Sequence, residues 1–187
     1  MANHEYIDDM IRSRRTIKIY KEDPISTDLI KEILSVAVWA PNHKLREPWR
    51  FIAFVGDGRQ VFLDALIKEK ESGRFPRPMK PEKLENIKKT PAFLLVVMPV
   101  DPRHNVFEED YAAVSACIQN IQLAAWARGV GALWITEPMI TNPVFREPLG
   151  VKSDEKIVGI LHLGYPEVVP NAQPRTPIEE KLTIIEQ

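Results

Sequence analysis

Arg14, Arg15, Thr16 and Lys18 place cationic groups and a hydroxyl within one short stretch near the start of the chain. The preceding residues Tyr6, Ile7, Met10 and Ile11 form an apolar stripe at helical spacing, and position 14 continues the line drawn through 7 and 11. The spacing therefore predicts a guanidinium directed toward the core. An inward cation is costly unless an anion meets it, which points to a carboxylate or, better, a phosphate. The same residues also read as ordinary cations at a helix C-terminus, complementing the helix dipole, with Arg12, Lys18 and Lys21 in solvent. This segment alone leaves both readings open.

A second cluster follows. Between Pro41 and Pro48 lie Asn42, His43, Lys44 and Arg46, donors displayed from a loop whose ends proline restrains, suited to a polar ring or a phosphate. An ordinary surface loop has the same composition. Trp134, Ile135 and Thr136 end a predicted strand and offer an aromatic wall with free backbone groups, although a core tryptophan is equally consistent. Arg175 lies in a proline-rich arm, solvated unless that arm wraps a partner and delivers the cation to a phosphate.

Other chemistries lack their residues. Neither GxGxxG nor GxxxxGK[ST] occurs, so Gly56-Asp57-Gly58 reads as a turn and Gly129-Val130-Gly131 as a helix stop. His4, His43, His104 and His162 are scattered without metal-ligand spacing, so no metal site is expected. Cys117 reads as inert helix packing, and Ser115 has no nucleophile elbow around it.

The elements that must position these groups follow from pattern. A first helix ends near Arg14; a second, capped by Ser26 or Thr27, buries Ile30, Ile33, Leu34, Ala37 and Val38 and stops near Ala40, ahead of Pro41. Residues 49–55 predict a strand, 60–71 a helix, 72–81 a proline-punctuated flap, and 82–90 another helix. Residues 91–98 are apolar on both faces, as in a strand at the centre of a covered sheet. The helix over 109–128 carries small residues on nearly every side, implying burial all round and a place at the centre of a dimer. Strands over 132–136 and 156–164 flank a short helix over 142–149, and prolines 166, 170, 174 and 177 keep the C-terminal arm extended, laid on a partner subunit.

With 187 residues, the chain is expected to form a single domain spanning 1–187. A formal net charge of −1 gives no overall attraction to nucleic acid or anionic lipid. One cysteine, no signal-like start and no long apolar run predict a soluble cytoplasmic protein without membrane association.

Taken in order, these motifs resemble the flavin-dependent nitroreductase family over almost the whole chain. Arg14-Arg15-Thr16-Ile17-Lys18 matches its Arg-Arg-Ser-x-Arg-like opening, with Thr for Ser and Lys for the last Arg. Ala40-Pro41 through Pro48-Trp49 matches its Ala-Pro-Ser-x-x-Asn-x-Gln-Pro-Trp loop at identical spacing, in a form similar to the small, single-domain NAD(P)H nitroreductase branch. Gly131-Ala132-Leu133-Trp134, Leu163-Gly164-Tyr165-Pro166 and Pro174-Arg175 complete the match.

The resemblance implies an α+β fold: a three-layer α-β-α sandwich with a central mixed, mainly antiparallel sheet, its C-terminal arm exchanged in a homodimer. It implies FMN as cofactor, NAD(P)H as electron donor, and a small-molecule acceptor such as a nitroaromatic or quinone, reduced in ping-pong fashion. The reacting atom would be flavin N5, so no side chain is expected as a catalytic acid or base. By the same resemblance Arg14, Thr16 and Lys18 hold the FMN phosphate, ribityl chain and N1/C2 carbonyl edge, with Arg15 beside them. Trp39, Ala40, Pro41 and His43 contact the flavin from the partner; Trp134, Ile135 and Thr136 line the ring; Arg175 reaches the phosphate. A cation near N1 stabilises reduced flavin. Leu45 and Glu47 replace the family Asn and Gln, changing hydrogen bonds near the flavin, and the Glu47 carboxylate either repels anionic substrates or pairs with Arg46 or Arg50. Two alternatives remain at this point: the same fold running another flavin reaction, such as dehalogenation, dehydrogenation or flavin destruction, or a non-enzymatic module gripping phosphate or nucleic acid.

Overall fold

The computed structural model describes residues 4–72 and 80–186. Most of the flap expected over 72–81 lies outside the described residues. Strands β1 (Arg50–Val55), β2 (Ala92–Pro99), β3 (Gly131–Ile135) and β4 (Glu155–Gly164) form an antiparallel sheet in the order β1-β2-β4-β3. The central pair, β2 and β4, is apolar on both faces because helices cover both.

The pleat of β2 sorts its side chains between two cores. Leu94, Val96 and Met98 join α2 (Thr27–Ala37) and α5 (His104–Trp126), whereas Phe93, Leu95 and Val97 join α3 (Arg59–Glu71), α4 (Pro81–Lys88) and α6 (Pro143–Arg146). Phe62 of α3 stacks on Phe93 with centroids 4.0 Å apart. The result is the expected three-layer α+β sandwich. In β4 the alternation slips: Val96 faces Gly159 and Val97 faces Ile157, so Val158 is an extra residue. That bulge puts Val158 in the same core as Leu161 and leaves room over Gly159, where an added Cβ would lie 2.2 Å from Trp134 Nε1.

Two expectations are corrected. No residue of α1 (His4–Ser13) is buried, and Tyr6, Ile7 and Ile11 are exposed, so its apolar stripe does not face the core of this chain. Position 14 lies beyond the helix end, and the helical projection used for Arg14 stops applying there. Within one chain α5 leaves one flank open: Ala112 is exposed and Ala116 half-buried, beside Pro41 and His43. Burial by small residues on that flank would require a second molecule. Helix α5 also begins at His104, ahead of the expected start at 109.

Candidate functional site

After α1 the backbone runs extended, and alternate residues take opposite sides. Ile17 is 0% exposed and its N–H donates to the Ala132 carbonyl at 3.1 Å, while Thr16 bridges Ala132 in parallel sense. Thr16 and Lys18 consequently point outward. Gly131 admits this docking, since a Cβ there would sit 2.4 Å from Ile17 Cγ1. Tyr20 is the next anchor: its buried hydroxyl shares its proton between the carbonyls of Ile17 (2.7 Å) and His162 (3.0 Å). Burial pushes the Tyr20 phenol upward, so it remains a neutral donor.

The chain leaving β4 is tied to the same segment. Lys21 N–H donates to the Tyr165 carbonyl at 2.9 Å and Glu167 N–H to the Ile19 carbonyl at 3.1 Å. These bonds start the C-terminal arm where Arg14–Lys18 ends, and the two together enclose a cavity of about 830 Å³ lined by Arg14, Arg15, Thr16, Lys18, Asn171 and Arg175. Five of the residues singled out from sequence thus meet in one place.

Arg14 is half-buried. One of its terminal nitrogens lies 3.4 Å from Gln122 Oε1 on α5, while its buried Nε has no hydrogen-bond partner. Burial first, then the neighbouring charges of Arg15 and Arg175, lower its pKa. Arg15 spends its guanidinium on the carbonyls of Arg12 and Arg14. Among the described residues no carboxylate pairs with Arg14, Arg15, Lys18 or Arg175. Like charges gathered without a counter-charge are costly unless the protein binds an anion.

A second cavity, of about 620 Å³, adjoins the first through Lys18, which lines both. Leu133, Trp134, Ile135, Thr136, Thr90, Lys83 and His162 contribute to it. It opens on the α4 side of the sheet. Strand alternation sends Ile135 to that side and the Trp134 indole to the other, where it packs toward α5 and donates to the Val158 carbonyl at 3.4 Å. The aromatic wall expected from Trp134 is therefore turned away from this cavity; the strand end offers Ile135, Thr136 and backbone instead.

The loop residues lie elsewhere. Trp39 is 85% exposed and Leu45 82% exposed, Ala40 is buried in the α2–α5 core, and Pro41 and His43 line a separate hollow of about 460 Å³ against Ala112, Ala113 and Ala116. Within one chain none of Trp39, Ala40, Pro41 or His43 reaches the two cavities. Lys44, Leu45 and Glu47 all take positive φ, and the strain is held by Asn42, whose Oδ1 accepts from Glu47 N–H at 2.9 Å, and by Arg46. Arg46 forks onto buried Asp110 at 2.9 and 2.8 Å and reaches Asp101 at 3.5 Å. Arg50 binds Glu155 at 2.7 and 2.5 Å. Both arginines thus have carboxylates other than Glu47.

Sequence reasoning missed Gln122, His162 and the arm residues 168–173. His162 is a polar residue inside an apolar strand, a signal that was present, whereas Gln122 stands among other polar residues of α5. The arm residues carry no such signal because their role depends on where the chain turns after Tyr165. Cys117 is buried, and its thiol is pushed up to about 12 by burial, in keeping with inert packing.

The model of the nitroreductase family matches residues 11–165. The chain belongs to the nitroreductase family. It is 35% identical to "Putative NAD(P)H nitroreductase YfhC" of Bacillus subtilis (strain 168), over 96% of this chain and 94% of that protein. Among solved structures, a nitroreductase-like family protein from Bacillus cereus is 37% identical, covers 100% of both chains and superposes with a TM-score of 0.87. The FMN-dependent nitroreductase NfnB from Mycobacterium smegmatis, solved in complex with NADPH, shares the fold at 16% identity, with 98% of this chain and 99% of that chain covered and a TM-score of 0.79.

Proposed function

We propose that this member of the nitroreductase family is an FMN-dependent oxidoreductase that uses NAD(P)H to reduce nitroaromatics, quinones or similar electrophiles. The observation that carries this reading is the cluster of Arg14, Arg15, Lys18 and Arg175 around one cavity without a carboxylate partner, including a buried Arg14 Nε with no acceptor. A terminal phosphate supplies several acceptor oxygens and the missing negative charge. The names of the relatives agree: YfhC carries NAD(P)H nitroreductase in its name, and NfnB is FMN-dependent and binds NADPH.

FMN, when bound, supplies hydride chemistry at its N5, taking a hydride from NAD(P)H and giving the reducing equivalents to the acceptor. The chain's own residues bind and orient. Arg14 and Arg175 would hold the phosphate, with Arg15 adding charge and Thr16 a hydroxyl donor. Lys18, shared by both cavities, would hold its ammonium near the ring and favour added negative charge there. Ile135 and Thr136 line the ring-side cavity.

The reading extends to a homodimer spanning the whole chain. The exposed apolar residues of α1, the small-residue flank of α5, exposed Trp39 and Leu45, and the exposed arm residues Ile178, Leu182, Ile184 and Ile185 all favour burial against a second copy. In such a dimer Trp39, Pro41 and His43 act from the partner, with Ala40 limited to backbone contact. Cytoplasm is the compartment implied, since NAD(P)H is held there. Among the described residues no helix is long and apolar enough to cross a membrane.

The test is an absorbance spectrum of purified protein after FMN addition and dialysis, then after anaerobic NADH or NADPH, followed by turnover with menadione or a nitrofuran. Retained yellow colour, bleaching by the nucleotide and acceptor-dependent reoxidation are expected. Colourless protein after dialysis contradicts the proposal, and flavin loss without acceptor turnover moves the assignment to flavin destruction.

A further inference from the structure

Among the polar side chains that line the ring-side cavity, one stands apart by its burial. His162 sits on β4 opposite Phe93 and Leu133 and is only 3% exposed. Its ring meets Phe93 edge-on at 4.9 Å and Phe62 at 6.2 Å. Among the described residues no hydrogen bond reaches the imidazole; the Tyr20 hydroxyl binds only the backbone carbonyl of His162. Burial, with the charge of Lys83 second, pushes the ring down to about 3, so it is neutral near pH 7 and presents one donor and one acceptor.

A neutral imidazole packed against phenylalanines keeps polar atoms at the wall of the cavity it lines, where an apolar residue would fill the same space without them. The cavity gives the exception a direction. His162 lines it together with Lys18, Thr90 and Thr136, on the same face of the sheet as Ile135. Lys18 also lines the phosphate-side cavity, so on the FMN reading this cavity would take the ring end. The ring end of a flavin has a polar edge on which carbonyl, N–H and carbonyl alternate, so a single imidazole nitrogen facing it can either donate to a carbonyl or accept from the N–H.

We propose that His162 is a cofactor-binding residue that hydrogen-bonds the polar edge of the flavin ring in this cavity, an inference that rests on the FMN reading above. Its role is to place the ring in plane and register beside Lys18. Two substitutions distinguish this from packing. His162→Phe keeps the aromatic contacts and removes hydrogen bonding; His162→Gln keeps hydrogen bonding and removes the aromatic contacts.

FMN affinity is read from flavin fluorescence quenching, together with the visible spectrum and midpoint potential of the bound flavin. His162→Phe is expected to bind FMN roughly three- to tenfold more weakly, the range of one net hydrogen bond, with a shifted spectrum and potential. His162→Gln is expected to stay closer to wild type. Melting of the apoproteins checks folding, and His162→Phe should be about as stable as wild type because it keeps the aromatic contacts with Phe62 and Phe93. If His162→Phe binds FMN with unchanged affinity, spectrum and potential, or if His162→Gln loses more affinity than His162→Phe, the imidazole is packing and the proposal is overturned. Wild-type protein that retains no FMN overturns both readings; wild-type protein that retains it while His162→Phe is unchanged overturns this one alone.

Discussion

Two basic segments of this molecule are similar in composition and opposite in electrostatic arrangement. Residues 14–18 gather Arg14, Arg15 and Lys18, later joined by Arg175, and no carboxylate meets them among the described residues. Residues 43–50 hold His43, Lys44, Arg46 and Arg50, and there Arg46 is forked onto Asp110 and Arg50 onto Glu155. The paired arginines fasten a loop with three non-glycine residues at positive φ, a structural task. The unpaired ones border a cavity, which is what anion binding requires. Counting cations does not separate a ligand site from a latch; locating the carboxylates does.

Supplying the first segment with the carboxylate it lacks is the strongest way to break that contrast. Arg14→Glu sets an acid between Arg15 and Arg175 and is expected to weaken FMN binding by roughly 100-fold or more, from lost charged hydrogen bonds plus repulsion of phosphate. The melting temperature of its apoprotein should hold or rise. Equilibrium dialysis with FMN and differential scanning fluorimetry measure the two effects.

Gly131→Ala attacks the scaffold beneath the same segment. Its Cβ would fall 2.4 Å from Ile17 Cγ1, so either β3 or the Thr16–Lys18 backbone must shift, costing about 1–3 kcal/mol by urea denaturation. FMN affinity should fall with it, whereas Gly150→Ala, at φ +72 with nothing within 4 Å, should strain the fold and spare affinity.

Removing the latch sharpens the comparison from the other side. Arg46→Ala leaves buried Asp110 unpaired and should lower the melting temperature by several degrees without changing the affinity of the phosphate-side cavity for inorganic phosphate. A phosphate affinity that falls as far as the stability does would show that the two segments are not separate in function.

The smallest effect is in acid. Glu155 is held below the ordinary carboxylate range first by its bonds to Arg50, so its stabilisation is present above that range and is lost as pH falls through its folded value. His162 moves from 6.5 down to about 3, so between those values the unfolded chain takes up a proton that the folded chain refuses. Stability therefore declines as pH drops across that window. His162→Phe should flatten the upper part of the decline in a melting series from pH 7 to pH 5, and the arginines of the phosphate-side cavity should contribute nothing to it.

Periodicity made most of the sheet and helices legible: residues 91–98 read as buried on both faces, and β2 is covered on both. The order of Arg14, Lys18, Trp134 and Arg175 along the chain was enough to nominate the site. What pattern did not reveal was where a period changes. The helical projection carried Arg14 onto a core-facing stripe, but the chain leaves the helix after Ser13 and becomes extended, so the side chain reaches the cavity by a different geometry. The Trp134 ring is likewise turned by strand alternation and received by Gly159, a pairing visible only once the bulge at Val158 is known. Asp110 and Gln122 are polar residues buried on α5, and nothing local says that one meets Arg46 and the other Arg14 across the fold.

The central claim is that the Arg14 cluster exists to hold a phosphate at one end of a bound mononucleotide. The most direct test titrates wild type and Arg14→Ala with FMN and with riboflavin, which differ only by that phosphate. The account predicts that wild type prefers FMN strongly and that Arg14→Ala loses most of this preference while riboflavin binding barely changes. An Arg14→Ala protein that still prefers FMN by the wild-type margin, or that weakens for both ligands equally, would contradict it.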